Sequence, residues 1–541
     1  MPFPDFTPTI AELARRQAIS HGDRELIVLG DERLTYAEAE RRSRKMAIGM
    51  LAEGLGKGSR VGLLMSNGPD WVVAWLAASR IGATIVPLNT FYKARELGWV
   101  LRHADVTELL TVPGFLGHDY LSRLEEFAPE LSGASGPLAI LSLPYLRRVR
   151  AWTTGSLPTW AEEGPNSLTQ KGEEAGQAGE DLLGEVESEL SPADQAVIIY
   201  SSGSTADPKG AIHTHGTVVR HAYNLNSFRE LFPDDRVYSP MPFFWVGGLV
   251  FVLLSAMNAG ACVLVEDRFE AGDTLDYIER EKATIVAGWP HYGKAMAEHE
   301  SFAGRDLSSI RMGNIYAVLP EELQPADPEL RATSLGMTET AGPHTIEDMT
   351  VDLPEKLRGS FGKSVPGLEH KIIDPETGLT LGPDESGEIL ARGYSLMQGL
   401  YKVEREQSFD AEGFYHTGDG GRFNDEGHLF FEGRLGDVIK TGGANVSPRE
   451  IEVLMEAQDE IKEAYVVGLP HPDRGETVTA VAVLVAGQDL SEDELRERLK
   501  RELSSYKVPT RILYVTSAEL PMTDTGKIDK KRLKTQLERD F

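Results

Sequence analysis

The chain has 541 residues, 41% of them hydrophobic and 26% charged, which excludes a wholly disordered, collagen-like or low-complexity polymer. Its net charge of −29 repels nucleic-acid phosphates and anionic lipid, so neither is an expected partner. The single cysteine, Cys262, excludes an internal disulfide and a cysteine-cluster zinc site and fits a reducing, cytoplasmic location.

At about 100–200 residues per domain, three or four structural units are expected. The first residues lack the apolar core of a signal peptide, and the last five carry no peroxisomal or prenylation signal, so no targeting is expected. Apolar runs of β type then alternate with amphipathic stretches. Residues 60–65 predict a strand, Pro69–Arg80 a helix and 83–87 a second strand. Residues 154–194, rich in Gly, Ser, Pro and acids, predict a surface connection that is partly mobile. Residues 196–200 predict a strand. Residues 246–265 form a run without charge, long enough to span a bilayer. Its glycines and Asn258 favour a buried helix over 249–257, a turn and a strand over 261–265. A further strand is predicted over 283–287. Strands uncovered by polar alternation are buried on both faces, so the core is α/β with largely parallel sheets. From 367 to 431, short strands separated by turn signals predict a small β-barrel or meander. Beyond Gly433 a new α/β segment follows, with strands at 464–468 and 479–485 and a charged helix at 491–503.

The run Tyr200-Ser201-Ser202-Gly203-Ser204-Thr205-Ala206-Asp207-Pro208-Lys209-Gly210 follows a strand directly. Hydroxyls, free backbone N–H groups and a lysine placed there can cradle phosphate. It is not a Walker loop, because Gly-Lys-Ser/Thr is absent, and a hydrophilic turn has the same composition. A strand-linked GxGxxG is absent, which disfavours a flavin or NAD role.

This loop resembles the Ser/Thr/Gly-rich loop of the adenylate-forming superfamily, which contains acyl- and aryl-CoA synthetases, luciferases and nonribosomal peptide adenylation domains. Six further matches stand in the family's order: Gly336-Met337-Thr338-Glu339, Ser386-Gly387-Glu388-Ile389, Tyr415-His416-Thr417-Gly418-Asp419, the segment 433–440, Pro448-Arg449-Glu450-Ile451-Glu452, and the segment 521–528. The chain is most similar to an acyl-CoA synthetase.

The resemblance implies a large N-terminal domain, 1–433, of two layered α/β sheets (about 1–190 and 191–366) plus a β-barrel (367–433). A hinge at 434–436 and a small mobile C-terminal α+β domain, 437–541, follow, with the catalytic site between the domains. It implies ATP, Mg²⁺ and coenzyme A as cofactors, and a reaction in which a carboxylate attacks the α-phosphate and a thiol then displaces AMP. Both halves depend on stabilising negative charge. Ser201, Ser202, Gly203, Ser204, Thr205 and Lys209 would hold the β- and γ-phosphates. Thr338 would contact the α-phosphate and Glu339 the metal. Leu335 and Gly336 would lie beside adenine. Asp419 would accept the ribose hydroxyls, with Arg434 assisting. Lys527 would bridge acyl carboxylate and α-phosphate. Gly436 would sit at the hinge. Lys440, Gly442, Gly443 and Asn445 would form the loop that helps build the pantetheine tunnel.

Five positions depart from the family pattern: Ala206 in the phosphate loop, Trp245 for the usual His in Phe243-Phe244-Trp245, Leu335 for an adenine-stacking Tyr, Tyr316 in the Gly-Ala-Pro loop, and Gly436 at the hinge. They raise, beside simple drift, a variant that only transfers a partner-supplied acyl-AMP to CoA. Trp245, Gly247, Gly248 and Tyr316 would shape the acyl pocket, the glycines leaving space and the tryptophan adding a wall. No Asp stands in that segment to hold an amino group, so a bulky or medium-to-long hydrophobic acid is expected. An enzyme loading a separate carrier protein and a catalytically lapsed binding subunit are the other readings. His213, His215 and His221 are expected to find backbone partners rather than metal. A homodimer is compatible with the sequence.

Overall fold

The computed structural model describes residues 3–153, 155–201, 207–331, 333–435, 439–446, 448–522 and 528–540. The chain divides into two compact units. The first comprises Met1–Thr90, Gly98–Tyr200 and Gly210–Gly433; the second comprises Phe91–Leu97, Ser201–Lys209 and Arg434–Phe541.

Two largely parallel sheets form the core of the first unit. One runs Met312–Gly313, Ile285–Val286, Arg236–Tyr238, Cys262–Val265, Glu25–Leu29, Glu32–Thr35, parallel except for its last pair. The other runs Gly399–Leu400, Lys209–Thr214, Gln195–Ser201, Thr84–Pro87, Arg60–Leu64, Glu108–Thr111, Arg148–Ala151, Ala161–Glu163. The apolar runs of the sequence are these central strands, buried on both faces as continuous hydrophobicity requires. A third, seven-stranded sheet with antiparallel pairing extends from Ser334–Met337 to Leu368–Ile373. Residues 154–194 differ from expectation. Where the composition suggests only a surface connection, they form the strand Ala161–Glu163 and the helices Pro165–Glu174 and Gly176–Ser188. The glycines there are contact residues rather than breakers. A Cβ on Gly172 would collide with the Lys45 carbonyl, and one on Gly49 with the Leu168 carbonyl, so the helix Tyr36–Ala52 seats backbone to backbone on the helix Pro165–Glu174. The acids pair outward: Glu180 with Arg44 at 2.7 Å, Glu173 with Lys45 at 2.5 Å, and Glu187 with the buried Arg80 at 2.5 Å.

The uncharged run 246–265 is interior. The helix expected there opens two residues earlier as a π-helix, Gly247–Leu254, continues as the α-helix Ser255–Ala259, turns at Gly260 (φ 77°) and returns as the strand Cys262–Val265. Wide i→i+5 pairing leaves carbonyls to be satisfied from outside. The Arg229 guanidinium donates to the Phe251 carbonyl and lies 3.7 Å over the Phe251 ring. Burial pushes that guanidinium down to about 9. Among the described residues no helix is long and apolar enough to cross a membrane.

In the second unit, a sheet orders Ala444–Val446, Ile439–Thr441, Gly475–Leu484 and Ile461–His471, with Arg511–Tyr514 parallel to Gly475–Leu484. The helix Glu492–Glu502 starts on a Ser491 cap whose hydroxyl accepts from the Glu494 N–H.

Candidate functional site

The Gly-Met-Thr-Glu motif lies at a hairpin corner. The strand Ser334–Met337 ends at a short 3₁₀ turn, Thr338–Thr340, and Ala341 at φ 57° reverses the chain into Gly342–Ile346. Thr340 Oγ1 donates to the Gly342 carbonyl at 2.7 Å and locks the corner. Two buried imidazoles hold it from outside. His213 Nε2 donates to the Thr338 carbonyl at 2.7 Å, and His221 Nε2 to the Pro343 carbonyl at 2.8 Å. A carbonyl can only accept, so both rings carry the proton on Nε2. Burial pushes His213 down to about 4 and His221 down to about 3, which keeps both neutral. His213 lies on the strand Lys209–Thr214, so it ties that strand to the corner of Thr338 and Glu339. The side chain of Glu339 is largely buried, and its carbonyl accepts from the Met397 N–H at 2.8 Å.

Asp419 sits in the strand Tyr415–Phe423, buried, after Gly418 at φ 69°, a backbone conformation glycine adopts without strain. Its N–H donates to Thr417 Oγ1 at 3.0 Å, and Thr417 Oγ1 donates to the Ile389 carbonyl at 2.5 Å. Thus Gly387–Gly393, the strand bearing the Ser-Gly-Glu-Ile motif, supports the Asp419 strand. Leu335 does not present an open face. It packs with Ile372, Ile389 and Leu429 inside the seven-stranded sheet. Gly336 lies where a Cβ would come 2.7 Å from the Gly342 and Pro343 backbone.

Among the residues expected to line an acyl pocket, Phe243-Phe244-Trp245 leads into the π-helix. Gly247 is half-buried, and a Cβ added there would meet Met241 Sδ at an ordinary 3.4 Å. Gly248 leaves no space: a Cβ there would stand 2.7 Å from the Met241 carbonyl oxygen and collide with Pro242. A ladder of rings continues from Trp245. It touches Phe244 at 5.2 Å and Trp289 edge-on at 6.2 Å; Trp289 meets Tyr292 at 5.5 Å, and Tyr292 stacks on Phe269 at 4.1 Å. Such pairs contribute about 0.5–1.5 kcal/mol each beyond burial. Tyr316 is half-buried on a 3₁₀ turn against the Tyr238–Leu264 cluster, and burial raises its hydroxyl pKa. Trp245, Phe269, Trp289 and Tyr316 all follow the carboxyl ends of parallel strands in one sheet, the usual place of an α/β ligand site. The sequence reading missed Phe269, Trp289 and Tyr292; an aromatic a few residues past each apolar run was the available signal.

In the second unit, Lys440 is exposed on Ile439–Thr441, and its N–H donates to Glu476 Oε2 at 2.9 Å. Gly442 (φ 56°) and Gly443 (φ 80°) form the two-residue turn to Ala444–Val446, with both φ angles positive as a tight hairpin needs. Also missed was Lys507. It is buried between Glu450 at 3.0 Å and Glu96 at 2.7 Å, and burial pushes Glu450 up to about 7. Ser201 ends the strand Gln195–Ser201 and Lys209 begins Lys209–Thr214. Ser202, Gly203, Ser204, Thr205, Ala206, Gly436 and Lys527 lie outside the described residues, as do the side chains of Arg434 and Asn445.

Sequence profiles described as AMP-binding enzyme and AMP-binding enzyme C-terminal domain match residues 14–401 and 450–527. The rice 4-coumarate–CoA ligase 1 is 31% identical, over 93% of this chain and 88% of its own. The bovine mitochondrial medium-chain acyl-CoA ligase ACSF2 is 30% identical, over 95% and 85%. The solved amide bond synthetase McbA of Marinactinospora thermotolerans superposes with a TM-score of 0.77 at 25% identity, covering 97% of this chain and 99% of that one.

Proposed function

The chain belongs to the AMP-binding enzyme family, and on that premise we propose that it is an AMP-forming carboxylate–CoA ligase for a bulky or medium-to-long hydrophobic acid. The observation that carries the substrate class is the ring ladder Trp245–Trp289–Tyr292–Phe269, an apolar wall at the strand ends. The relatives named for coumarate and for medium-chain acids are consistent with it.

ATP, Mg²⁺ and CoA are the reactants and metal the family implies. Glu339 offers a hard carboxylate oxygen beside the Thr338 hydroxyl. No cluster of three His, Cys, Asp or Glu that could cage an ion exists among the described residues. That donor set suits Mg²⁺, which takes one or two carboxylates and completes its shell with substrate phosphates and water. When bound, it neutralises charge developing on the phosphates. Thr338 orients the α-phosphate by its hydroxyl. His213 and His221, neutral and donating to carbonyls, fix the corner that carries Thr338 and Glu339. Asp419 holds the ribose hydroxyls through an ionised carboxylate. Ser201, Ser202, Gly203, Ser204, Thr205 and Lys209 embrace the leaving pyrophosphate, and Lys527 brings the acid's carboxylate to the α-phosphate. The resulting adenylate has an acyl carbon open to a thiol, whose attack expels AMP. Arg434 supports the ribose, and the turn at Gly442 and Gly443 gives the thin pantetheine arm close backbone approach, with Asn445 and Lys440 beside it. Gly436 is proposed as the hinge between the large domain, 1–433, and the small one, 437–541.

A paired assay tests this. Purified protein receives a panel of hydrophobic acids with ATP, Mg²⁺ and CoA in one series, and synthetic acyl-AMP with CoA in the other. Acyl-CoA and AMP in both series are the expected outcome. Product only from the adenylate would establish a transferase fed by a partner enzyme. Transfer only to a phosphopantetheinylated carrier protein would replace CoA as acceptor, and activity in neither series would leave a binding subunit.

A further inference from the structure

Two asparagines outside every motif make the same contact on two different loops. Asn67 stands three residues past the strand Arg60–Leu64. Its carboxamide Nδ2 donates to the Met241 carbonyl at 2.9 Å, while its Oδ1 accepts from the Phe243 N–H at 2.8 Å. Asn314 follows the strand Met312–Gly313. Its Nδ2 donates to the Gly288 carbonyl at 2.9 Å, and its Oδ1 accepts from the Gly288 N–H at 2.9 Å. A primary amide has one donor side and one acceptor side, so it mimics the edge of a strand and can grip both polar groups of a backbone segment. Neither segment is arbitrary. Residues 241–243 lead straight into Trp245, and Gly288 immediately precedes Trp289. The two tryptophans meet at 6.2 Å with their planes 85° apart.

Each grip has a second anchor nearby. Phe243, fully buried, meets the Trp71 ring edge-on at 5.1 Å, and Trp71 lies in the helix Pro69–Arg80 just after Asn67. Beside Asn314, a Cβ on Gly288 would stand 3.0 Å from Ile315 Cδ1, so the Gly288 backbone lies close against that loop. The loops at 241–243 and 288 lie beyond strand ends, where ladder hydrogen bonds have stopped. Without the amides, four backbone polar groups lose their partners, and the loops lose the constraint that orients the next side chain.

We propose that Asn67 and Asn314 are positioning residues that set Trp245 against Trp289 and thereby fix the shape of the acyl wall. The second half of this statement rests on the ligase reading above; the first does not. An acid whose ring fits against two perpendicular indoles is held only while both loops keep their register. A slack wall accepts linear and ring-bearing acids alike. The groups that bind nucleotide lie on other elements, so ATP affinity is not part of what these amides control.

The test uses the full-length protein and the variants Asn67→Ala, Asn314→Ala and Trp289→Phe. The exciton couplet of the Trp245–Trp289 pair in circular dichroism is identified as the signal lost in Trp289→Phe. It is expected to fall in both asparagine variants with no substrate present. In the ligase assay, KM for a ring-bearing acid is expected to rise about tenfold, as losing two hydrogen bonds to an ordered loop implies. KM for ATP should stay within twofold, and the preference for ring-bearing over linear acids should shrink. A couplet that persists in both variants overturns the proposal. So does a parallel rise in both KM values that tracks a loss of folded protein. Should Asn67→Ala fail to fold, Asn314→Ala carries the same readings on a separate loop. Loss of the couplet in a protein without ligase activity upholds the clamps and overturns the ligase reading instead.

Discussion

The two sides of the first unit's candidate site are held by different chemistry. The corner carrying Thr338 and Glu339 is fastened by imidazoles, His213 and His221, each donating to one carbonyl. The loops carrying Trp245 and Trp289 are fastened by carboxamides, Asn67 and Asn314, each gripping an N–H and a carbonyl. An imidazole can take up a second proton and a carboxamide cannot. The ties of one side can therefore titrate and those of the other cannot. In the proposed reading the same division separates charge from shape: the first side would place anionic groups and the second would fit an apolar body.

The geometric side should be the more brittle to added volume. Gly248→Ala places a methyl group into the Pro242 backbone, with the Met241 carbonyl oxygen 2.7 Å away. The backbone must move, so we expect a loss of about 3 kcal/mol or more, with acid binding lost before nucleotide binding. Thermal melting with and without ATP measures both. Unchanged melting would mean that the π-helix does not seat on residues 241–242. On the other side, His221→Ala removes a buried ring and leaves the Pro343 carbonyl without its donor. A loss of about 2–3 kcal/mol is expected in denaturant titration. ATP affinity should fall further than acid affinity, in mirror image of Gly248→Ala. Leu335→Tyr sharpens the reading of the nucleotide side. If Leu335 fills the Ile372–Ile389–Leu429 cluster, the larger ring overpacks it, costing about 1–2 kcal/mol with no gain in ATP affinity. Tighter ATP binding with unchanged stability would place that side chain at the adenine instead.

Much of this was legible before any coordinates. The runs at 60–65 and 83–87 read as buried strands because they are apolar without alternation, and they became Arg60–Leu64 and Thr84–Pro87. Pro69–Arg80 read as a helix because Pro opens it and an apolar face follows. Thr338, Glu339 and Asp419 stand in motifs of local spacing, so the sequence makes them candidates, and the roles proposed for them rest on the resemblance. Residues 154–194 misled because glycine signals a turn in isolation, whereas Gly172 and Gly49 serve close contact between helices. The clamps were invisible for a different reason. Asn67 and Phe243 are 176 positions apart, so nothing local pairs them, and a single asparagine after a strand reads as a turn. For His213 and His221 the sequence predicts backbone partners, and each ring has one; that they tie one corner together depends on which carbonyls the fold brings to them.

The smallest predicted effect is the most direct measure of the contrast, because it needs only a change of pH. In the unfolded chain a histidine titrates near 6.5, while His213 and His221 are pushed down to about 4 and about 3 by burial. Below 6.5 the unfolded state therefore takes up protons that the folded state refuses. The stability these residues contribute is complete above 6.5 and is lost as pH falls toward 4 and 3. At pH 5.5 each should cost about 1.4 kcal/mol relative to neutral pH. His221→Gln retains an N–H donor but cannot titrate, so its stability should fall less steeply than the parent's between pH 7 and 5. Beside the acyl wall, Glu266 has the opposite sign. It accepts from Tyr238 and Thr274, and burial pushes it up to about 6, so protonation is easier in the folded state and acid favours it. Acidification from pH 7 to 5 should thus lower the stability of the parent more than that of His221→Gln, while the folded protein keeps the Trp245–Trp289 couplet. A couplet that decays over that range in protein that is still folded would mean that the Trp245–Trp289 loops also follow a titrating group, and the division between titrating and non-titrating ties would have no content.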